Sequence, residues 1–160
     1  MAQLDRQTYK SSWNPNVAEM VMSFDDNGGG AAGVYSISCV IPAGSYIQDV
    51  QVHADTLWDS GTSATLIVGD SDDPNGFYAA VNAKATNLVA NEVLSFGHDG
   101  GLLGAYITDD DGVMTQYSSS ARTVSAEMTT VGTAATAGVT RIVVLWVKPT
   151  DSVVSSFTAS

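Results

Sequence analysis

The sequence predicts an all-β protein, an antiparallel β-sandwich of jelly-roll type. Short runs in which apolar and polar residues alternate follow one another along most of the chain, and turns rich in Pro, Gly and Asp separate them. No long run has the spacing of an amphipathic helix. This pattern predicts roughly eight strands, at the spacing that is usual for sandwiches. The chain divides into an unpatterned N-terminal arm at residues 1–16, a β-sandwich domain at 17–150 and a polar C-terminal tail at 151–160.

Three strands are predicted in the first third of the chain, at residues 18–24, 33–41 and 46–54. Pro42, Ala43 and Gly44 fit a type I turn between the second and the third, since Pro presets the first central angle. The segment 36–77 therefore looks hairpin-like and is predicted to form the spine of the sandwich. The predicted inward residues are Ala18, Met20, Met22 and Phe24, then Tyr35, Ile37, Cys39 and Ile41, then Val50, Val52 and Ala54.

The middle of the chain is less regular. Residues 64–68 form a short apolar run that predicts a buried strand. Residues 77–90 predict irregular structure or a short helix, because their alanines favour a helix and their asparagines do not. Residues 92–96 and 105–108 predict weak strands on either side of a glycine-rich stretch.

Two clear strands close the domain. Residues 123–129 alternate, which indicates a strand with one buried face. Residues 141–148 are apolar on both faces, as is typical of a central strand that is covered on two sides.

The chain is strongly acidic, with 17 Asp and Glu against 6 Lys and Arg and a net charge of -11. Such a charge repels the phosphate backbone of DNA and RNA, so nucleic acid is not expected among the partners. A basic partner surface, or one screened by cations, is favoured.

No segment has the pattern of a secretion signal or of a membrane-spanning helix. We therefore expect no membrane partner. The protein is expected to stay in the cytoplasm in which it is made, or to leave by a route other than secretion, such as lysis.

The sequence predicts no catalytic residues and no cofactor. Gly69, Asp70 and Ser71 resemble the nucleophile elbow of SGNH hydrolases, but that family needs an Asp-x-x-His pair near the C-terminus. Neither His53 nor His98 has an Asp three residues earlier, and a serine without a positioned base is a poor nucleophile. The two histidines are also too isolated to predict a zinc site.

The acidic loop at residues 70–76 begins like an EF-hand calcium loop. Pro74 at its fifth position and Val81 at its twelfth, where a bidentate Glu is needed, do not fit. An acidic turn is favoured, and a weak cation on Asp70, Asp72 and Asp73 stays as the alternative. The acidic run at residues 109–111 is likewise interpreted as a solvated turn.

Three aromatic residues are predicted to bind a partner: Tyr9, Trp13 and Trp58. The first two lie in the arm and the third lies in a predicted turn, where a rigid ring can anchor a contact at low entropic cost. Trp146 is predicted to lie in the core. The alternative is a sugar-stacking platform that combines the tryptophans with other aromatic side chains: Tyr46, Phe77 and Tyr78.

The single cysteine, Cys39, lies in an apolar run and is predicted to be a buried small hydrophobe rather than a reactive thiol.

Residues 41–78 resemble a strand, turn and acidic-loop pattern of small virion proteins of tailed bacteriophages, including capsid decoration or cement proteins. The residues that carry the resemblance are Pro42, Gly44, Gly69, Asp70, Asp73, Pro74, Gly76 and Phe77. The resemblance implies a non-catalytic sandwich that is made in the host cytoplasm, sits on the outer capsid surface and fastens neighbouring copies of the major capsid protein.

Coat lattices present three-fold axes, and a protein that staples a shell gains avidity by engaging several subunits at once. A homotrimer is therefore predicted, with residues 1–16 toward the shell. A carbohydrate-binding or receptor-binding virion module, or a head-fibre or tail protein, is the alternative to the cement role.

Overall fold

The structure is a computed structural model that describes residues 15–85, 88–108 and 116–148. The predicted arm up to residue 14, the acidic turn at 109–112 and the tail at 151–160 lie outside the described residues.

In these ranges the chain forms nine strands and one helical turn. The elements in chain order are β1 Asn16–Ser23, β2 Gly33–Ile41, β3 Ser45–Thr56, β4 Ser63–Gly69, β5 Tyr78–Asn82, β6 Val93–Leu94, α1 Ala105–Thr108, β7 Tyr117–Ser118, β8 Arg122–Val131 and β9 Val139–Val147.

The strands form two antiparallel sheets, and the predicted all-β sandwich is confirmed. One sheet has the order β1-β9-β3-β6, with β7 also paired to β3, and the other has the order β2-β8-β4-β5. The finer expectation of jelly-roll connectivity stays a prediction, which this interleaved order favours.

The predicted hairpin-like spine at residues 36–77 is wrong in its pairing. β2 pairs with β8 and β3 pairs with β9, so the Pro42–Gly44 turn carries the chain from one sheet to the other. Gly44 has a φ of 74°, which favours glycine at this sharp corner. Periodicity correctly predicted the strands, but it carries no information about which strands pair.

The core lies between the two sheets and takes one face of each long strand. The predicted inward residues of β1, β2 and β3 all belong to this core or pack against it. The largest fully buried side chains are Trp58, Tyr78, Phe77, Met22, Ile41, Ile47, Leu66, Leu94, Met128 and Ile142.

Two predictions in the middle of the chain are corrected. Residues 78–82, expected to be irregular or helical, form β5, because pairing with β4 outweighs the helix propensity of its alanines. Residues 105–108, expected to be a strand, form α1, in which the carbonyl of Gly104 accepts the N–H groups of Ile107 and Thr108.

β9 is the predicted central strand, with β1 on one side and β3 on the other. The expectation that it is covered on both faces is wrong for the described chain. Ile142 and Val144 are fully buried, whereas the outward Val143 and Leu145 are only half-buried.

Within the described ranges, no helix is long and apolar enough to cross a membrane.

Candidate interaction site

The loop between β4 and β5 closes on the carboxylate of Asp70, which is only 6% exposed. Oδ1 of Asp70 accepts the backbone N–H groups of Asp72 and Asp73, each at 3.0 Å. The carbonyl of Asp73 in turn accepts the N–H of Asp70 at 3.0 Å. The loop is thus an acidic turn, as the sequence predicts, but it is built around a buried side chain, which the sequence did not predict.

Two more side chains hold the same carboxylate from other elements. Nε of Arg122, at the start of β8, donates to Oδ2 of Asp70 at 2.5 Å, and the hydroxyl of Tyr106 in α1 donates to Oδ1 at 2.6 Å. The guanidinium lies 4.9 Å above the ring centre of Phe77 and 4.7 Å from that of Tyr106. These four residues, Asp70, Phe77, Tyr106 and Arg122, form what we call the Asp70 cluster.

The cluster fixes the charge state of its members. Burial alone would raise the pKa of the Asp70 carboxyl, but the hydrogen bonds from Tyr106, the Asp73 N–H and Arg122 hold that pKa below its usual value. Burial and the adjacent Asp70 carboxylate raise the pKa of Tyr106 to about 12. At neutral pH Asp70 is therefore an ionised acceptor and Tyr106 a protonated donor.

Two glycines of the loop are required by close packing. A Cβ at Gly69 would collide with the backbone of Asp73 and Pro74, and a Cβ at Gly76 would collide with the ring of Tyr106. The residues that carry the resemblance to virion proteins thus shape this loop.

Within the described ranges, no hydrogen bond joins the Ser71 hydroxyl to a general base. Ser71 is exposed and lies beside a shallow, mostly hydroxyl-lined depression on the outer face of the second sheet, formed with Ser36, Ile37, Ser38, Thr123 and Ser125. His53 lies on β3 of the other sheet, 3.2 Å from Gln51, and His98 lies 3.7 Å from Glu92. Among the residues that the structure describes, no group of His, Cys, Asp or Glu could hold a metal ion.

We expect millimolar calcium, or a chelator, to leave the melting temperature unchanged within about one degree. Protein donors already engage both oxygens of Asp70, so an ion would have to displace Arg122 or Tyr106. Thermal unfolding with and without calcium tests this. A rise of several degrees that Asp72→Ala abolishes would contradict it.

Trp58 is a core residue, which corrects its expected place in an exposed turn. Its side chain is 2% exposed, its ring packs edge-on against Tyr35 at 5.1 Å, and its indole N–H donates to the hydroxyl of Thr140 at 2.9 Å. Gly138 allows this packing, because a Cβ there would lie 2.5 Å from the indole. A position in a turn does not predict exposure of Trp58, because a tryptophan beside a turn can point inward as well as outward.

The other two predicted partner-binding residues, Tyr9 and Trp13, lie outside the described residues and stay predictions. The sugar-stacking alternative loses three of its six rings, Trp58, Phe77 and Tyr78, to the core. Phe77 and Tyr78 are fully buried, and Tyr78 donates its hydroxyl to the carbonyl of Val50 at 2.9 Å.

Trp146 packs against the core, as predicted, although it is only half-buried. Cys39 is also half-buried against the core, and burial raises the pKa of its thiol. A raised pKa disfavours the reactive thiolate, in agreement with the structural role that was predicted.

Most basic side chains in the described ranges are engaged within the fold. Lys84 donates to the carbonyl of Ser60, Arg122 to Asp70, and Arg141 to Glu19 and Asp55. Lys148 is exposed. The described surface available to a partner is thus mainly acidic and polar, with exposed valines that include two on each of the edge strands β1 and β2.

No family model matches the chain, and no curated protein matches its sequence. Two solved structures share its fold. A chain of the cyanophage Pam1 capsid asymmetric unit has a TM-score of 0.61 at 18% identity, and the match covers 92% of this chain and 94% of that one.

A chain of the acidic stable capsid structure of the Helicobacter pylori bacteriophage KHP30 has a TM-score of 0.50 at 13% identity, covering 86% of this chain and 90% of that one. The likeness is one of fold. It extends over nearly the whole of each chain, so it concerns the complete sandwich and not a fragment of it.

Proposed function

We propose that the chain is a non-enzymatic structural protein of a bacteriophage particle, which binds the outer capsid surface and cements neighbouring copies of the major capsid protein. The observation that carries the proposal is the end-to-end fold likeness to a chain of the Pam1 capsid. The resemblance of residues 41–78 to decoration proteins points to the same role.

The described surface supports a role in binding rather than catalysis. The carboxylate of Asp70 in the acidic loop is already bound by protein donors, including Arg122. The depression beside Ser71 is shallow, and no histidine lines it. The net charge of -11 favours a basic partner surface over nucleic acid.

The proposal includes a homotrimer at or near a three-fold axis of the coat lattice. At the side opposite β1 and β2, the two sheets end in the edge strands β6 and β5, which leave backbone N–H and C=O groups for a neighbouring subunit. Three copies joined in this way would engage several coat subunits at once.

A carbohydrate-binding or receptor-binding module would need exposed aromatic rings. Tyr117 is the large aromatic side chain that is exposed in the described ranges, because the core buries Trp58, Phe77 and Tyr78. The described surface therefore favours the cement role over a carbohydrate-binding or receptor-binding module.

Removing residues 1–14 is expected to weaken binding to coat shells by about tenfold or more, because a buried aromatic anchor contributes about 2 kcal/mol to an interface. The truncation stops before Asn16 so that β1 stays intact. The truncated chain is expected to keep its fold by circular dichroism. Co-sedimentation with shells that lack the protein measures the affinity.

A matched pair of point variants accompanies the truncation. Trp13→Ala is expected to reproduce most of the loss, whereas Tyr117→Ala, at an exposed ring in β7, is expected to bind like the unmodified protein. Unchanged decoration by the truncated chain would refute the role of the arm. Failure of the unmodified chain to bind shells would refute the cement role.

A further inference from the structure

The outer face of the first sheet carries a contiguous group of apolar side chains. Val143 and Leu145 of β9 point outward and are half-buried, and Val17 of the edge strand β1 lies opposite Leu145. Val21, on the same face of β1, is a diagonal neighbour of Val143. Val17 is 61% exposed. We call these four residues, Val17, Val21, Val143 and Leu145, the outer patch.

The patch is unusual for a sheet face that meets water. An antiparallel strand with one solvated face normally alternates apolar and polar residues, whereas β9 has Val and Leu at consecutive outward positions. On the inner side of the same strand, Ile142 and Val144 are fully buried by the core. An apolar group at the centre of an outer sheet face marks a surface that another molecule covers.

Carboxylates dominate the rim of the patch. Glu19 lies opposite Val143 and Asp49 lies opposite Leu145 on the other side of β9. Arg141, the basic residue of this face, donates to both Glu19 and Asp55 and is thereby neutralised. The rim is left with a net negative charge.

We propose that the outer patch docks onto a protein surface with an apolar centre and a basic rim, and that the coat shell presents this surface. The inference rests on the proposed function and adds to it the face by which the sandwich binds. A second copy of this chain is a poor occupant of this face, because the two acidic rims would face each other and repel.

The first test is Val17→Asp, with Val40→Asp as its matched control. Both valines are exposed on edge strands, Val17 in β1 at 61% and Val40 in β2 at 66%, so neither change buries a charge in the free chain. We expect Val17→Asp to weaken binding to coat shells by at least about tenfold, since the docked carboxylate is desolvated. Val40→Asp is expected to change binding by less than about threefold, and both variants to keep the melting temperature.

The second test introduces a charge of either sign at the rim of the patch. Gln51 lies opposite Val143 and beside Asp49. With a basic partner, Gln51→Lys weakens binding by roughly tenfold, whereas Gln51→Glu keeps or improves it. The opposite order, together with self-association that Val17→Asp weakens in ultracentrifugation, would assign the patch to a second copy and overturn the proposal.

The remaining outcomes separate the two proposals. If the unmodified chain binds shells and Val17→Asp loses no more than Val40→Asp, the docking face is refuted and the cement role stands. If the unmodified chain does not bind shells, both are refuted. If Val17→Asp lowers the melting temperature of the full chain but not of the chain without residues 1–14, the patch is covered by the chain's own N-terminal segment, and the proposal is refuted.

Discussion

Asp70→Asn is expected to lower the free energy of unfolding by about 3–5 kcal/mol, the usual cost of breaking a buried ion pair from one side. The asparagine would leave the guanidinium of Arg122 without its charged partner in a site where the Arg122 side chain is 11% exposed. It would also disturb the bonds to the N–H groups of Asp72 and Asp73. Urea denaturation followed by tryptophan fluorescence measures the change.

Asp72→Asn is the matched control, because Asp72 is exposed in the same turn and its substitution removes the same formal charge. It is expected to change stability by no more than about 0.5 kcal/mol. Equal effects of the two substitutions would show that the Asp70 cluster does not hold the fold together.

The same carboxylate makes stability depend on pH in the acid range. The pKa of Asp70 is lower in the folded than in the unfolded protein, so its contribution is fully present above the unfolded value of about 3.9. It is lost as the pH falls through the folded value. Asp70→Asn should therefore flatten the decline of stability below about pH 4, and an unchanged acid limb would contradict this.

Trp58→Ala is expected to cost about 3–5 kcal/mol of unfolding free energy, as is usual for removing a large buried ring. The substitution deletes the packing against Tyr35 and leaves the hydroxyl of Thr140 without its indole donor. Chemical denaturation of the purified variant provides the measurement.

Trp58→Phe serves as the control, since it keeps a ring beside Tyr35 and removes the indole N–H. A smaller loss of about 1–2 kcal/mol is expected from the lost hydrogen bond and volume. A Trp58→Ala variant with unchanged stability and weakened shell binding would instead identify Trp58 as a partner contact.

The parts of the fold that periodicity controls were predictable from the sequence. β2 was predicted with its observed bounds, and the inward residues of β1 and β3 were assigned to the correct face. Pairing was not predictable, because Tyr35 lies opposite Met128 of β8, far away in the chain, and nothing local encodes that contact. β5 was missed since its strand conformation depends on the same long-range pairing.

The candidate site was predictable only in its local part. The turn at Asp70 follows from the glycines and the proline around it. Its partners Arg122 and Tyr106 do not, because they come from elements 52 and 36 residues further along the chain. The outer patch had a visible signal in the apolar run of β9, which was assigned to burial inside the domain and not to contact with another molecule.

The pairing of β1 with β9 also constrains when the protein can fold during its synthesis. Asn16 lies opposite Trp146, so β1 gains its hydrogen-bonded neighbour only after β9 has been synthesised. Contacts of such sequence separation slow folding. Val143 and Leu145 reach the sheet only at this final step. A chain that ends before β9 therefore lacks the centre of the proposed docking face.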